Sequence, residues 1–198
     1  MNKSFFIVIF IIMGVFTLTC RDKASYKKQP PKVKKDRLSQ TKAIGKKFMT
    51  YLKGELTKAI KKSGPHGAIK VCKDVSPKAE KSFKEEDPDI LSLRRISLKP
   101  RNVKHHTPKQ NEKDWLIKTE NNIKKNLKAK PGLIESNDKT TVLLPIVINN
   151  KKCLMCHGNP ASFGDELKKA IRNNYPKDQA INYKMGDLRG ALVIEWKK

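Results

Sequence analysis

Lys152-Cys153-Leu154-Met155-Cys156-His157-Gly158 sets two thiols two residues apart and places an imidazole beside the second. Four chemistries use such residues. Two thiols at this spacing can add to the two vinyl groups of one porphyrin, and the adjacent histidine then lies under the iron as an axial ligand. This is the C-x-x-C-H attachment of a c-type haem. A thioredoxin-like redox pair also uses C-x-x-C, but does not require the histidine. Cys153, Cys156, His157 and Cys72 could together supply the four ligands of a zinc site. A disulfide between Cys153 and Cys156 is the fourth option, though so short a loop is strained. The haem reading leads, with Cys153 and Cys156 as attachment points and His157 as metal ligand. Gly158 lets the chain leave without meeting the ring.

The iron's other face has several candidates: Cys72, His66, His105, His106 and Met185. A methionine ligand gives a high potential, whereas a thiolate lowers it. Cys72 sits in an apolar helical segment and is the single thiol left once the motif cysteines and Cys20 are set aside. It reads equally well as an inert buried cysteine. His105 and His106 fall in a polar loop, where solvation is expected. Met185 reads as partly exposed apolar cover.

The elements that must position these groups follow from the apolar pattern. Residues 1–19 carry Lys3, an apolar run and small residues, as an export signal peptide does. The run is short for a membrane span. Cys20 ends it and is the expected lipidation site, which would hold the protein on the periplasmic side of a bacterial membrane, with simple cleavage or an uncleaved anchor as the alternatives. Thr17 and Thr19 stand where a lipobox more often has leucine and a small residue. Residues 20–37 are charged, contain Pro30-Pro31 and read as a flexible tether. The formal charge is +25, and lysines are spread along the whole length. No basic block is interleaved with aromatics, so no nucleic-acid partner is expected. The charge reads first as an ordinary solvated, lysine-rich surface, with acidic lipid or an acidic redox or signalling protein partner as the alternatives.

Residues 38–198 form the expected domain. Ile44, Phe48, Leu52, Leu56 and Ile60 recur every four residues, predicting a long amphipathic helix over 38–62. Ser63-Gly64-Pro65-His66-Gly67 breaks it, and a second helical stretch runs up to Pro77. Strands are predicted at 89–99, 139–149 and 187–196, and helices at 115–127 and 163–173. In the first strand the apolar parity switches at Arg94-Arg95, which predicts a bulge or a twist there. Mixed helices and strands without βαβ alternation predict an α+β fold with an antiparallel sheet.

From Gly64 onward the chain resembles a family of exported c-type haem domains with a PAS-like fold, first catalogued as a domain of unknown function. The matching pieces are "GPHGAIKVCKDVSPKAE", "LRRISLKPRN", Asp114-Trp115, "LLPI", "CLMCHG" and "YPKDQAINYKMGDLRGALVI". The resemblance implies one covalent haem c on Cys153 and Cys156, with His157 on one side of the iron and Cys72 on the other. The family's basic stretch maps onto Arg94, Arg95, Lys99 and Arg101, one or two of which would pair with the haem propionates. Asn182 stands where relatives tend to have glycine, and asparagine tolerates the left-handed backbone such a turn needs.

Two functions are expected from these features. One is haem-based redox or gas sensing, in which an axial ligand leaves on reduction or gas binding. The other is periplasmic electron transfer through a basic docking surface. An enzyme such as a peroxidase would need an open iron position and a distal acid–base group. His66 or His105 could serve, but nothing in the spacing calls for it.

Overall fold

The computed structural model describes residues 32–198, with side chains from Asp36 onward. The expected signal peptide, Cys20 and most of the tether lie outside the described residues. Among the described residues no helix is long and apolar enough to cross a membrane.

Helix α1 spans Lys32–Lys70, so the helix begins six residues earlier than its apolar repeat and takes in the end of the expected tether. The Ser63–Gly67 break appears as a kink rather than a loop. Gly64 has φ 69°, a left-handed backbone that suits glycine, and Pro65 opens the next helical segment. The chain stays helical past Lys70. Val71–Val75 form one π-helical turn and Ser76–Glu85 form α2. Pro77 does not end this run, because it sits in the first turn of α2, where a missing N–H costs nothing.

Strand β1 (Ile90–Ile96) follows, then a single turn α3 (Val103–His106) and helix α4 (Gln110–Lys124). Strands β2 (Gly132–Glu135) and β3 (Lys139–Val147) form a hairpin. Helix α5 (Lys151–His157) carries the C-x-x-C-H motif, α6 spans Asp165–Asn174, and β4 (Leu188–Lys197) closes the domain. The four strands make one antiparallel sheet in the order β1-β4-β3-β2. The fold is α+β, with helices on both faces and a long N-terminal helix.

Both faces of the sheet are buried. Leu192, Ile194, Trp196 and Val142 pack under Phe48 and Leu52 of α1. Ala191, Val193 and Leu143 pack under Leu116 of α4. This explains the parity switch in β1. Leu93 joins the α1 layer and Ile96 the α4 layer, so no bulge is needed at Arg94-Arg95. The register shift falls between Ile90 and Ser92 instead, and it brings Ile90 onto the same face as Leu93. The buried indole of Trp196 donates to Thr41 Oγ1 at 2.8 Å, fixing α1 across the centre of the sheet.

Candidate functional site

A cavity of about 350 Å³ opens between α1, the π-helical turn, α5 and the ends of β1, β3 and β4. Cys153, Cys156, His157 and Cys72 all line it. The chain therefore brings the motif and the one remaining thiol of the domain to a single site.

Helix α5 is held at both ends. At its start the Asn150 side chain accepts from the Lys152 N–H at 2.8 Å. At its end the Gly158 N–H donates to the Leu154 carbonyl at 2.8 Å. A Cβ on Gly158 would lie 2.5 Å from that carbonyl oxygen, so the helix can close here only on glycine. Residues 178–183 then clip the helix end in place. The Tyr183 N–H donates to the His157 carbonyl and the Asn182 N–H to the Gly158 carbonyl. Asn182 does so with φ 59°, the left-handed conformation expected of it.

The same segment sets the tautomer of His157. Its Nδ1–H donates to the Ala180 carbonyl at 2.8 Å, which leaves the Nε2 lone pair free. Burial pushes the imidazole well below its ordinary pKa, and Arg189 and Arg101 press it further down. A neutral imidazole with a fixed N–H on one side and a lone pair on the other is what a metal ligand needs. Burial also pushes the Cys156 thiol up to about 11. That is opposite to the lowered pKa of a thioredoxin-type nucleophile. The three cysteines are free thiols, not a disulfide. Among the described residues no group of three or more His, Cys, Asp or Glu converges tightly enough to hold a metal ion, so the zinc alternative finds no ready site.

Cys72 lies half-buried in the π-helical turn, a geometry found frequently at functional positions. Lys73 ties that turn to Asn174 at 3.2 Å. Below it, Ser76 accepts from Arg95, and Arg95 Nε donates to Glu80 Oε1 at 3.1 Å. Burial alone would raise the Glu80 carboxyl, but His106 and Arg95 hold it below its usual range. His106 lines the cavity, with Nε2 3.7 Å from Glu80 Oε1. Burial pushes its imidazole down, against the pull of Glu80. The expectation that His105 and His106 are both solvated thus holds only for His105, which is exposed.

The four basic residues of the β1 stretch separate. Arg95 and Arg101 line the cavity. Arg94 does not; it reaches the α4 layer and pairs with Glu112, which is buried. Lys99 sits with its Nζ 4.3 Å from the Tyr183 ring centroid, outside the cavity lining. Arg101 donates to Asp178 at 3.2 Å and to the Cys156 carbonyl at 2.5 Å, and its buried Nη1 has no partner. His66 faces Glu166 at 3.1 Å and Met185 is exposed, and neither lines the cavity. Arg189 was not a sequence candidate, yet it lines the cavity from β4. No local signal marks it, since it is one of many basic residues and its place follows from the pairing of β4.

Fold and cavity together define an α+β domain whose four-stranded antiparallel sheet is flanked by helices. A cavity lined by the motif cysteines and His157 lies between its sheet and its helices. The Tll0287-like family model matches residues 22–196, and the chain belongs to that family. A crystal structure described as that of the cyanobacterial haem protein Tll0287 shares the fold, with a TM-score of 0.60 and 21% identity over 86% of this chain and 98% of that one. No curated protein matches.

Proposed function

We propose that the chain is an exported, lipid-anchored mono-haem cytochrome domain of the c type, acting in haem-based redox or gas sensing on the periplasmic side of a bacterial membrane. Its carrying observation is the convergence of Cys153, Cys156, His157 and Cys72 on one cavity. The residues present fit the group. Each motif thiol would form a carbon–sulfur bond by adding across a vinyl group, its proton going to the neighbouring carbon. His157 Nε2 is free to bind iron, and Cys72 would bind as a thiolate. The cavity wall also carries Arg101, whose buried Nη1 has no partner and could meet a carboxylate. When bound, the haem supplies a one-electron couple and a site for a diatomic gas. Family membership supports haem binding, because the family's namesake is described as a haem protein.

Sensing is favoured by the setting of Cys72. It stands in a single π-helical turn between two longer helical segments, a short element that can slip by one hydrogen bond without unfolding its neighbours. A thiolate there can take up a proton and leave when the iron gains an electron. Electron transfer is the second reading, supported by the formal charge of +25, which would steer an acidic partner.

Cys72→Ala tests the reading. The variant should keep its haem, lose the ferric signature of thiolate ligation and bind carbon monoxide on reduction. Carbon monoxide binding by the reduced wild type supports sensing. A wild type that stays six-coordinate and gas-inert in both oxidation states supports electron transfer. An unchanged ferric spectrum in Cys72→Ala removes Cys72 as a ligand.

A further inference from the structure

Three guanidinium groups line the cavity, and only two are balanced. Arg95 faces the carboxylate of Glu80 and Arg101 that of Asp178. Arg189 meets none: its Nη1 donates to Ser97 Oγ at 2.9 Å and more weakly to the Lys99 carbonyl at 3.4 Å. Its guanidinium also lies 5.3 Å from the Tyr183 ring centroid. Among the described residues no ion pair involves it. Burial lowers its pKa, and Arg101 and Arg95 press in the same direction. A buried charge without a counter-charge is costly to hold in a folded chain. A folded protein keeps an unpaired buried guanidinium at a cavity wall when an anion belongs there. The orphaned Nη1 of Arg101 on the same wall adds a second, independent sign of a missing acceptor.

We infer that Arg189, assisted by Arg101, is the carboxylate-binding group of the cavity and holds a haem propionate in the ionised state. The inference rests on the haem reading above. It replaces Arg94 and Lys99, whose side chains are engaged elsewhere, with a residue from the opposite end of the chain. Arg189 is then a positioning residue. It would hold the haem's carboxylate edge at the β4 wall of the cavity, and its positive charge would favour the reduced form. Tyr183 and Ser97 keep its fork aimed, while Lys53, Arg95, Arg101, His106, Lys152, His157 and the three cysteines are the other charged or titratable groups that line the cavity. Gly190 belongs to the same arrangement. A Cβ there would lie 2.1 Å from the Ile96 carbonyl oxygen, so β1 and β4 can close together beside Arg189 only on glycine.

The test uses the full chain produced with c-type haem maturation. Acid–acetone extraction first decides whether haem is covalently attached, independently of any arginine. Resonance Raman then follows the propionate bending band. In the wild type it should stay at the ionised position down to about pH 3.5, below the range of about 4–4.5 where an exposed carboxyl takes up its proton, since a nearby guanidinium depresses a carboxyl pKa. In Arg189→Met the haem content should be unchanged, the band should shift and the reduction potential should fall. Arg189→Lys, which keeps the charge but not the planar fork, should restore most of the potential. If Arg189→Met fails to fold, Arg189→Gln serves as the neutral variant. A wild-type band that titrates as a solvent-exposed carboxylic acid overturns the inference. A neutral variant with the wild-type band and potential does so too.

Discussion

The Nδ1–H of His157 donates to the carbonyl of Ala180 at 2.8 Å, and the backbone of Ala180 is itself fixed by one carboxylate. Asp178 Oδ1 accepts the Ala180 N–H at 2.8 Å, while its Oδ2 accepts from Arg101 at 3.2 Å. Arg101 in turn donates to the Ala180 and Cys156 carbonyls. One acidic side chain therefore ties the orientation of the candidate iron ligand to the helix that carries both motif cysteines.

Asp178→Ala should cost about 3–5 kcal/mol in denaturant unfolding, because it leaves Arg101 buried without its carboxylate. The attached haem should also show a larger high-spin fraction as His157 loses its fixed orientation. Asp178→Asn keeps the shape and one of the two acceptor positions, so it should cost less than alanine but still destabilise. Equal unfolding midpoints for the wild type and Asp178→Ala would show that the clip is not what holds α5.

Two glycines should respond in opposite directions to alanine. Gly190 has φ 153°, and a Cβ there would meet the Ile96 carbonyl at 2.1 Å. The β1–β4 pairing must shift, at a cost of about 3 kcal/mol or more. Gly54 lies in α1 with nothing near its missing Cβ, so Gly54→Ala should stabilise by about 0.5–1 kcal/mol. Thermal unfolding of the two variants reads both signs.

Acid stability should depend on Glu195. Burial would raise its carboxyl, but Lys109 and Ser92, with Lys139, bring it down to about 2 from the usual 4.5. A folded pKa below the unfolded one contributes stability that is fully present above pH 4.5 and is lost as pH falls toward 2. Glu195→Gln should flatten that limb of the stability–pH curve. An unchanged acid limb in the variant would show that the ion pairs with Lys109 and Lys139 contribute nothing.

How far the sequence could be read depended on how local each feature is. The spacing of Cys153, Cys156 and His157 needs no tertiary information, and the β-branched run before it defined β3. The kink at Gly64-Pro65 and the left-handed Asn182 were legible because backbone chemistry is local. Short β2 was missed, since Gly132–Glu135 has too few residues to show alternation. The bulge was misplaced because the parity of β1 was read for a sheet with one buried face, whereas both are covered. Pro77 read as a stop because its place in a helix's first turn depends on where that helix begins. Arg189 and His106 became visible as cavity residues only when β4 and α3 were brought beside α5. Nothing in their own neighbourhoods distinguishes them from the many other basic residues of this chain.

The central claim is that this cavity holds a haem bonded to the chain. The most direct measurement is acid–acetone extraction of the full chain made with c-type maturation, followed by a pyridine haemochrome spectrum of the polypeptide. Haem that stays with the protein and gives the c-type reduced band is the predicted result. A polypeptide that comes out colourless, with its thiols at Cys153 and Cys156 still titratable, would contradict it.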